Sequence, residues 1–400
     1  MIEQIATLLS GHDYDVRKSK DARFMDQKVT PDVLSIMADC VLNYVAGRDI
    51  EFTKDDIWKD NYFNKNVKDI FNKPDAQNLT TAQEYDKFTS QPLRMLAYAG
   101  VLSLRKEGNK NLYKIRNDQV LEYVALKEKN AYLFLYQYLT KVLEDSAFLK
   151  HFGYFKERCE LGKVTKEDFQ DLKIKFQRFI IGNTAINGKV EVNRIFPKIL
   201  NIYSCANNIQ GTIKGTLSKR PIYYTDLMYN RPNWRDIEKN KNVSRNEAVS
   251  EHENLMIDQN EAYSDYQVQK ALNFIRLMYK ESEVKDQWAN GEATQVHHIF
   301  PRASFPYLAH YLENLIKLTP TQHNAKAHPS NNTQLINKDY QLICLIAKSH
   351  SIEQSLKKGE FFYSRESFIF VINKGLNVTM DYGLDFNAIK KEITRIYNLT

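Results

Sequence analysis

Residues 295–329 read QVHHIFPRASFPYLAHYLENLIKLTPTQHNAKAHP, and no other stretch restricts the fold as tightly. Two short apolar runs there are expected as strands. The first ends in the adjacent pair His297 and His298, with Pro301 shortly after. The second opens at Asn314-Leu315 and ends at Thr319-Pro320, where a polar helix start carries His323 and His328. Neighbouring residues on a strand point to opposite faces. One member of the histidine pair can therefore face a metal ion while the other faces water. A helix over residues 321–327 would bring His323 back to the same ion.

Such an arrangement suits attack on a phosphodiester, which is anionic and has a poor leaving alkoxide. A divalent cation neutralises the phosphate oxygens and carries charge on the leaving oxygen. A neutral imidazole takes a proton from water near neutral pH. On this reading His297 holds the metal and His298 is the base.

The order His-His-x-x-Pro, then Asn, then a strand ending Thr-Pro, then His, resembles the ββα-metal finger of HNH nucleases, in the His-rich form of colicin DNases and many bacterial restriction enzymes. The resemblance covers about 35 of the 400 residues. It implies that His297 is the first metal ligand and His298 the general base. It also implies that Asn314 ties the loop and orients the base, and that His323 is the first ligand on the helix. The last ligand departs from the pattern, because the expected position is Ala327 and His328 lies one further on. Five residues of α-helix turn about 500°, which leaves His328 roughly 140° off the face of His323. Pro329 biases its predecessor out of the α region, so a chain leaving the helix there can return the imidazole. Asn324 is the rival ligand. Lys326 and Arg302 are candidates to steady the phosphate. Three imidazoles suit a transition metal better than Mg²⁺, so Mg²⁺, Mn²⁺ and Zn²⁺ all stay open. His310 falls between the motif's elements and reads as a loop residue, while His12, His151, His252 and His350 have no partners nearby in sequence.

Length and composition are compatible with this chemistry. Four hundred residues suggest two or three domains, and 43% hydrophobic residues support real cores. No apolar run approaches the length of a membrane span. The opening MIEQIATLLSGHDYD lacks the features of a secretory signal. Cys40, Cys159, Cys205 and Cys344 are scattered without a CxxC, against a zinc knuckle or a disulfide framework. A cytoplasmic, bacterial protein is expected. The net charge of +7 is compatible with nucleic-acid binding without establishing it.

Most of that excess lies between residues 211 and 245, where Lys214, Lys219, Arg220, Arg231, Arg235, Lys239, Lys241 and Arg245 face only Asp226, Asp236 and Glu238. Tyr223, Tyr224, Tyr229 and Trp234 are interleaved. Cations among aromatics suit a phosphate-contacting surface, and a solvated basic loop is the plainer alternative. Gly211 and Gly215 could admit a phosphate to the backbone, a weak signal at that spacing.

The N-terminal third reads as helices followed by a two-stranded hairpin. Residues 29–48 are periodic, with Thr30 as N-cap and Pro31 at the first position. Another helix starts after Thr53. Strands are expected at 101–105 and 112–115 around a turn at 106–111. Residues 25–120 thus resemble a winged-helix domain, which implies DNA contacts from Lys87, Arg94, Lys106 and Lys110; a protein-binding or scaffold role is the alternative. Asp26 and Lys28 are set aside as a nuclease pair, since no partner acid sits on a convincing strand.

Helices are expected at 121–149 and 165–181, with one around 193–205 interrupted near Pro197. A hinge is expected at 240–261, helices at 263–280, 339–349 and 351–358, and a last one at 385–399 capped by Asp385. The expected fold is mainly α (α+β): a winged-helix-like domain at 1–120, a helical middle region with a basic segment at 121–260, and an HNH module at 261–400. The expected activity is site-specific hydrolysis of double-stranded DNA by a one-metal mechanism, as in a type II restriction endonuclease. A homodimer would serve to cut both strands, and a cognate DNA methyltransferase would protect self DNA. A methylation-dependent nuclease and a non-enzymatic winged-helix regulator are the alternatives.

Overall fold

The computed structural model describes residues 1–71, 75, 82–229, 245–327 and 337–399, with side chains at 82–85, 245–260 and 399 outside the description. The protein is mainly helical, and its described strands form three two-stranded antiparallel sheets. It divides into two compact units, Met1–Glu253 and Asn254–Thr400. Among the described residues no helix is long and apolar enough to cross a membrane.

In the first unit, helix α1 (Ile2–Ser10) and the short α2 (Val16–Ser19) lead into α3 (Pro31–Val45). Pro31 takes the first helical position, where its missing N–H costs nothing. Thr30 does not cap: its hydroxyl donates to Asp32 at 2.5 Å instead. The helix after Thr53 is capped reciprocally, Thr53 accepting from the Asp56 N–H and Asp56 accepting from the Thr53 N–H. It ends at Lys59, and Asp60, in extended backbone, separates α4 (Lys54–Lys59) from α5 (Asn61–Phe71). The single helix expected there is thus two.

Helix α6 (Ala82–Tyr98) packs on strand β1 (Leu102–Glu107), which pairs with β2 (Lys110–Ile115). This hairpin is tighter than its sequence suggests. The ladder runs through Lys106↔Asn111 and Glu107↔Lys110, leaving a two-residue turn that opens at Gly108 with φ 57°. Turns of that length need positive φ to match strand twist, and glycine adopts it without penalty.

Helices α7 (Asp118–Leu126) and α8 (Glu128–Asp145) both pack on α3, so residues 1–120 share one core with the helices that follow. Helices α9 (Leu149–Glu160), α10 (Lys166–Asn183) and α11 (Lys189–Ala206) complete the layer. Pro197 sits inside α11 without interrupting it, contrary to expectation. Strands β3 (Gln210–Ile213) and β4 (Thr216–Pro221) turn at Lys214-Gly215, both with positive φ. Gly211 serves packing rather than phosphate approach: a Cβ there would stand 2.6 Å from Asn201 Oδ1.

The second unit takes in most of α12 (Arg245–Met278), so the expected hinge at 240–261 is helical from residue 245; residues 240–244 lie outside the described part. Strands β5 (Gln295–His298) and β6 (Leu315–Leu318) then pair antiparallel. Helices α13 (Lys338–Lys357), α14 (Arg365–Leu376) and α15 (Phe386–Leu399) close the unit, α13 packing on α15. The two helices expected across residues 339–358 are one, and α14 had no counterpart in the sequence reading. Asp385 caps the last helix by accepting from the Ala388 N–H at 2.8 Å.

Candidate metal and imidazole site

Strand β5 places His297 opposite Ile316 and His298 opposite Leu315. Because side chains alternate across a strand, the two imidazoles leave by opposite faces. His297 is buried, and its ring meets that of His323 edge-on at 5.4 Å between centroids. Two imidazoles that share one ion, with metal–nitrogen distances of about 2.1 Å and a near-tetrahedral angle, hold their centroids roughly 5 Å apart. The centroid spacing of the pair is compatible with a shared ion.

His323 comes from a helix of unexpected winding. Residues Gln322–Ala327 form a π-helix rather than an α-helix. The burial pattern gives the reason. Gln322 and Ala327 are both buried, and five residues of α-helix would put them about 140° apart. A π-helix bonds i to i+5 and returns both to one side. Its start is fixed by a reciprocal cap, the Gln322 N–H donating to Thr319 Oγ1 at 3.2 Å and the Thr319 N–H to Gln322 Oε1 at 3.0 Å. Gln322 also accepts from Ser282 Oγ at 2.6 Å and donates to the Val284 carbonyl at 3.0 Å and to Asp286 Oδ1 at 2.8 Å. One buried amide thus fastens the His323 helix to the 282–286 loop.

Asn324, the rival ligand, lies beside His323 Nδ1, its Oδ1 at 2.8 Å. An amide oxygen only accepts, so Nδ1 carries the proton and Nε2 the lone pair. His328 lies outside the described residues. Among the described residues no group of three or more His, Cys, Asp or Glu side chains is gathered as a metal site.

On the other face, His298 Nε2 stands 3.1 Å from the Ala309 carbonyl. A carbonyl cannot donate, so Nε2 bears the hydrogen and Nδ1 the lone pair. Burial is the main cause holding His298 below the usual imidazole range; Arg302 pushes the same way, and the bond to Ala309 opposes them. A neutral ring with one nitrogen tied and the other basic is what proton abstraction from water requires.

Asn314 is fully buried in the loop that presents Ala309. Its Oδ1 accepts from the Phe300 N–H at 2.8 Å, and its Nδ2 donates to the carbonyls of Phe300 at 3.0 Å and Leu308 at 3.2 Å. Behind β6, the Lys317 N–H donates to Glu283 Oε1 at 2.8 Å, and the Glu283 N–H to the Lys317 carbonyl at 3.0 Å. Lys348, buried with Glu283, donates to that carboxylate at 3.1 Å and to the Tyr363 hydroxyl at 2.9 Å. Burial holds its ammonium below the ordinary lysine range. The strand opposite the histidines is thereby fixed along its outer edge.

The remaining candidates fall in varied settings. Arg302 pairs with Asp265, and Lys326 lies over the Trp288 ring, 4.2 Å from its centroid. In the first unit Lys87, Lys106, Lys110, Lys214 and Lys219 are exposed, and Arg94 is half-buried. Lys106 and Lys110 flank one hairpin turn, whereas Lys214 lies in the other. Arg220 is bidentate on Asp226, at 2.6 and 3.0 Å, so its fork is already occupied. Arg231 and Arg235 lie outside the described residues. His310 lies against Tyr311 in the loop, the two rings tilted by 39° at 4.8 Å between centroids. The sequence reading missed Gln322, although Thr319-x-x-Gln322 is a recognisable capping pattern. It also missed Ala309, Glu283 and Trp288, for which no local pattern exists. No family model, no curated protein and no solved structure matches the chain.

Proposed function

We propose that this protein is a DNA endonuclease of the HNH type, hydrolysing phosphodiesters in double-stranded DNA with one divalent ion, in the manner of a type II restriction enzyme. The observation that carries this reading is the pair of histidines on opposite faces of β5. His298 is tied at Nε2 and basic at Nδ1, while His297 meets His323 at 5.4 Å. His297 and His323 would hold the ion, with His328 or Asn324 as a further ligand. The bound ion would supply charge neutralisation at the phosphate.

His298 Nδ1 takes the proton of the attacking water, and the bond from Nε2 to Ala309 keeps the ring turned for it. Asn314 holds the loop that carries this carbonyl. A winged-helix-like reader at residues 1–120 and the basic β3–β4 hairpin would contact DNA through Lys87, Arg94, Lys106, Lys110, Lys214 and Lys219. A homodimer would cut both strands.

The test is incubation of the full-length protein and of His298→Ala with plasmid and phage DNA, with Mg²⁺ or Mn²⁺. Discrete fragments from wild type and none from the variant are expected. Cleavage confined to methylated DNA would move the reading to a modification-dependent nuclease. Binding without cleavage on either DNA would move it to a regulator.

A further inference from the structure

Trp288 is 38% exposed, and the loop around it is braced at several points. Asp286 Oδ1 accepts from the Trp288 N–H at 2.9 Å and from Gln322 Nε2 at 2.8 Å, while its Oδ2 accepts from the Tyr340 hydroxyl at 2.9 Å. The Trp288 carbonyl accepts from Thr319 Oγ1 at 3.0 Å. Both Thr319 and Gln322 belong to the cap of the helix that carries His323. The bonds that position the candidate metal ligand therefore also fix the backbone that carries this partly exposed indole. Lys326, three residues after His323, lies over the indole at 4.2 Å.

A tryptophan with 38% of its surface in water forfeits part of the burial that its large apolar side chain could gain. This loop nonetheless fixes it there beside a cation. A nucleotide offers the two complementary groups, a flat base and an anionic phosphate. We propose that Trp288 and Lys326 form a nucleotide-binding rim of the site, with an unpaired nucleobase stacked on the indole and its phosphate on the Lys326 ammonium. The ammonium turns from the ring to the phosphate as the base takes its place. A paired, stacked base shows only its edges, so the rim selects DNA that is locally opened. This rests on the nuclease reading above and adds to it the state of the strand at the site.

The test uses full-length protein carrying His298→Ala, to prevent cutting, with two fluorescein-labelled DNA duplexes of one sequence, one fully paired and one with an unpaired base loop. Binding is read by anisotropy across a salt series. Trp288→Ala is expected to weaken binding to the looped duplex about tenfold, with little change on the paired one, and Trp288→Phe to restore most of the loss. Lys326→Gln is expected to weaken binding and lower the salt slope by about one. In a Trp58→Phe, Trp234→Phe background, emission from Trp288 should be quenched by the looped duplex, a readout that needs no change at the rim. Equal binding of both duplexes by Trp288→Ala and its parent, or unquenched emission in the bound complex, overturns the rim while leaving the nuclease reading intact. Absence of DNA binding by the parent protein overturns both.

Discussion

Asn314 and His298 grip consecutive carbonyls of one loop: Asn314 Nδ2 donates to Leu308 at 3.2 Å, and His298 Nε2 to Ala309 at 3.1 Å. The peptide between those carbonyls couples the buried amide to the imidazole. Asn314→Asp keeps the acceptor for the Phe300 N–H and loses both donated bonds. The Leu308 carbonyl keeps the Tyr311 N–H at 3.1 Å, so the Phe300 carbonyl is the one that loses its donor, at a cost of about 1–3 kcal/mol. The variant should melt lower than wild type, and cleavage should fall further than the loss of folded protein accounts for. Activity normalised to the folded fraction from circular dichroism checks this. An unchanged normalised rate would remove Asn314 from the positioning of His298.

His297 and His323 should act as one unit toward metal. Wild-type protein is expected to melt higher with excess Mn²⁺ or Zn²⁺, by about 2.7 kcal/mol at a hundredfold excess over the dissociation constant. His297→Ala and His323→Ala should each lose most of that shift while keeping their melting temperature in chelator within a few degrees. Calorimetry with each cation measures the affinities directly. A full shift retained in both variants would place the ion elsewhere.

Gly375 on α14 approaches Phe300, which follows the histidine strand. A Cβ there would run into the Phe300 ring, which is 1% exposed and enclosed by its neighbours. Gly375→Ala should therefore cost stability, by about 1–3 kcal/mol for forced overpacking, despite alanine's better helix propensity. Chemical denaturation of the two proteins decides it. A gain in stability would mean that the ring and helix can separate freely.

Alkaline stability should be limited by buried phenols. Burial pushes Tyr14 and Tyr113 up to about 12, above the ordinary value near 10. A raised folded value means the fold prefers the neutral phenol, so this contribution is complete below pH ~10 and is lost as pH rises toward ~12. Each group is worth about 2–3 kcal/mol across that window, from roughly 1.4 kcal/mol per pH unit. Melting temperature should fall steeply between those limits, with phenolate absorbance rising in step with unfolding. A melting temperature unchanged between pH ~10 and ~12 would show that burial does not hold these two phenols neutral.

The sequence by itself determined the local parts of this site. Alternation on a four-residue strand sends His297 and His298 to opposite faces. The order of Asn314, Thr319 and His323 sets a second strand and a capped helix behind it, and helical periodicity marked most of the helices. These features depend only on neighbours in the chain. Tertiary structure decided the rest. The π winding answers to the simultaneous burial of Gln322 and Ala327, which no residue in that turn announces. The carbonyl that orients His298 belongs to Ala309, and any residue type carries a carbonyl, so its role is invisible until the loop folds. Pro197 inside α11 and the Glu283–Lys348 pair across 65 residues are likewise settled by packing. Spacing along the chain fixes which face a side chain takes; only long-range burial and hydrogen bonding fix what it meets there.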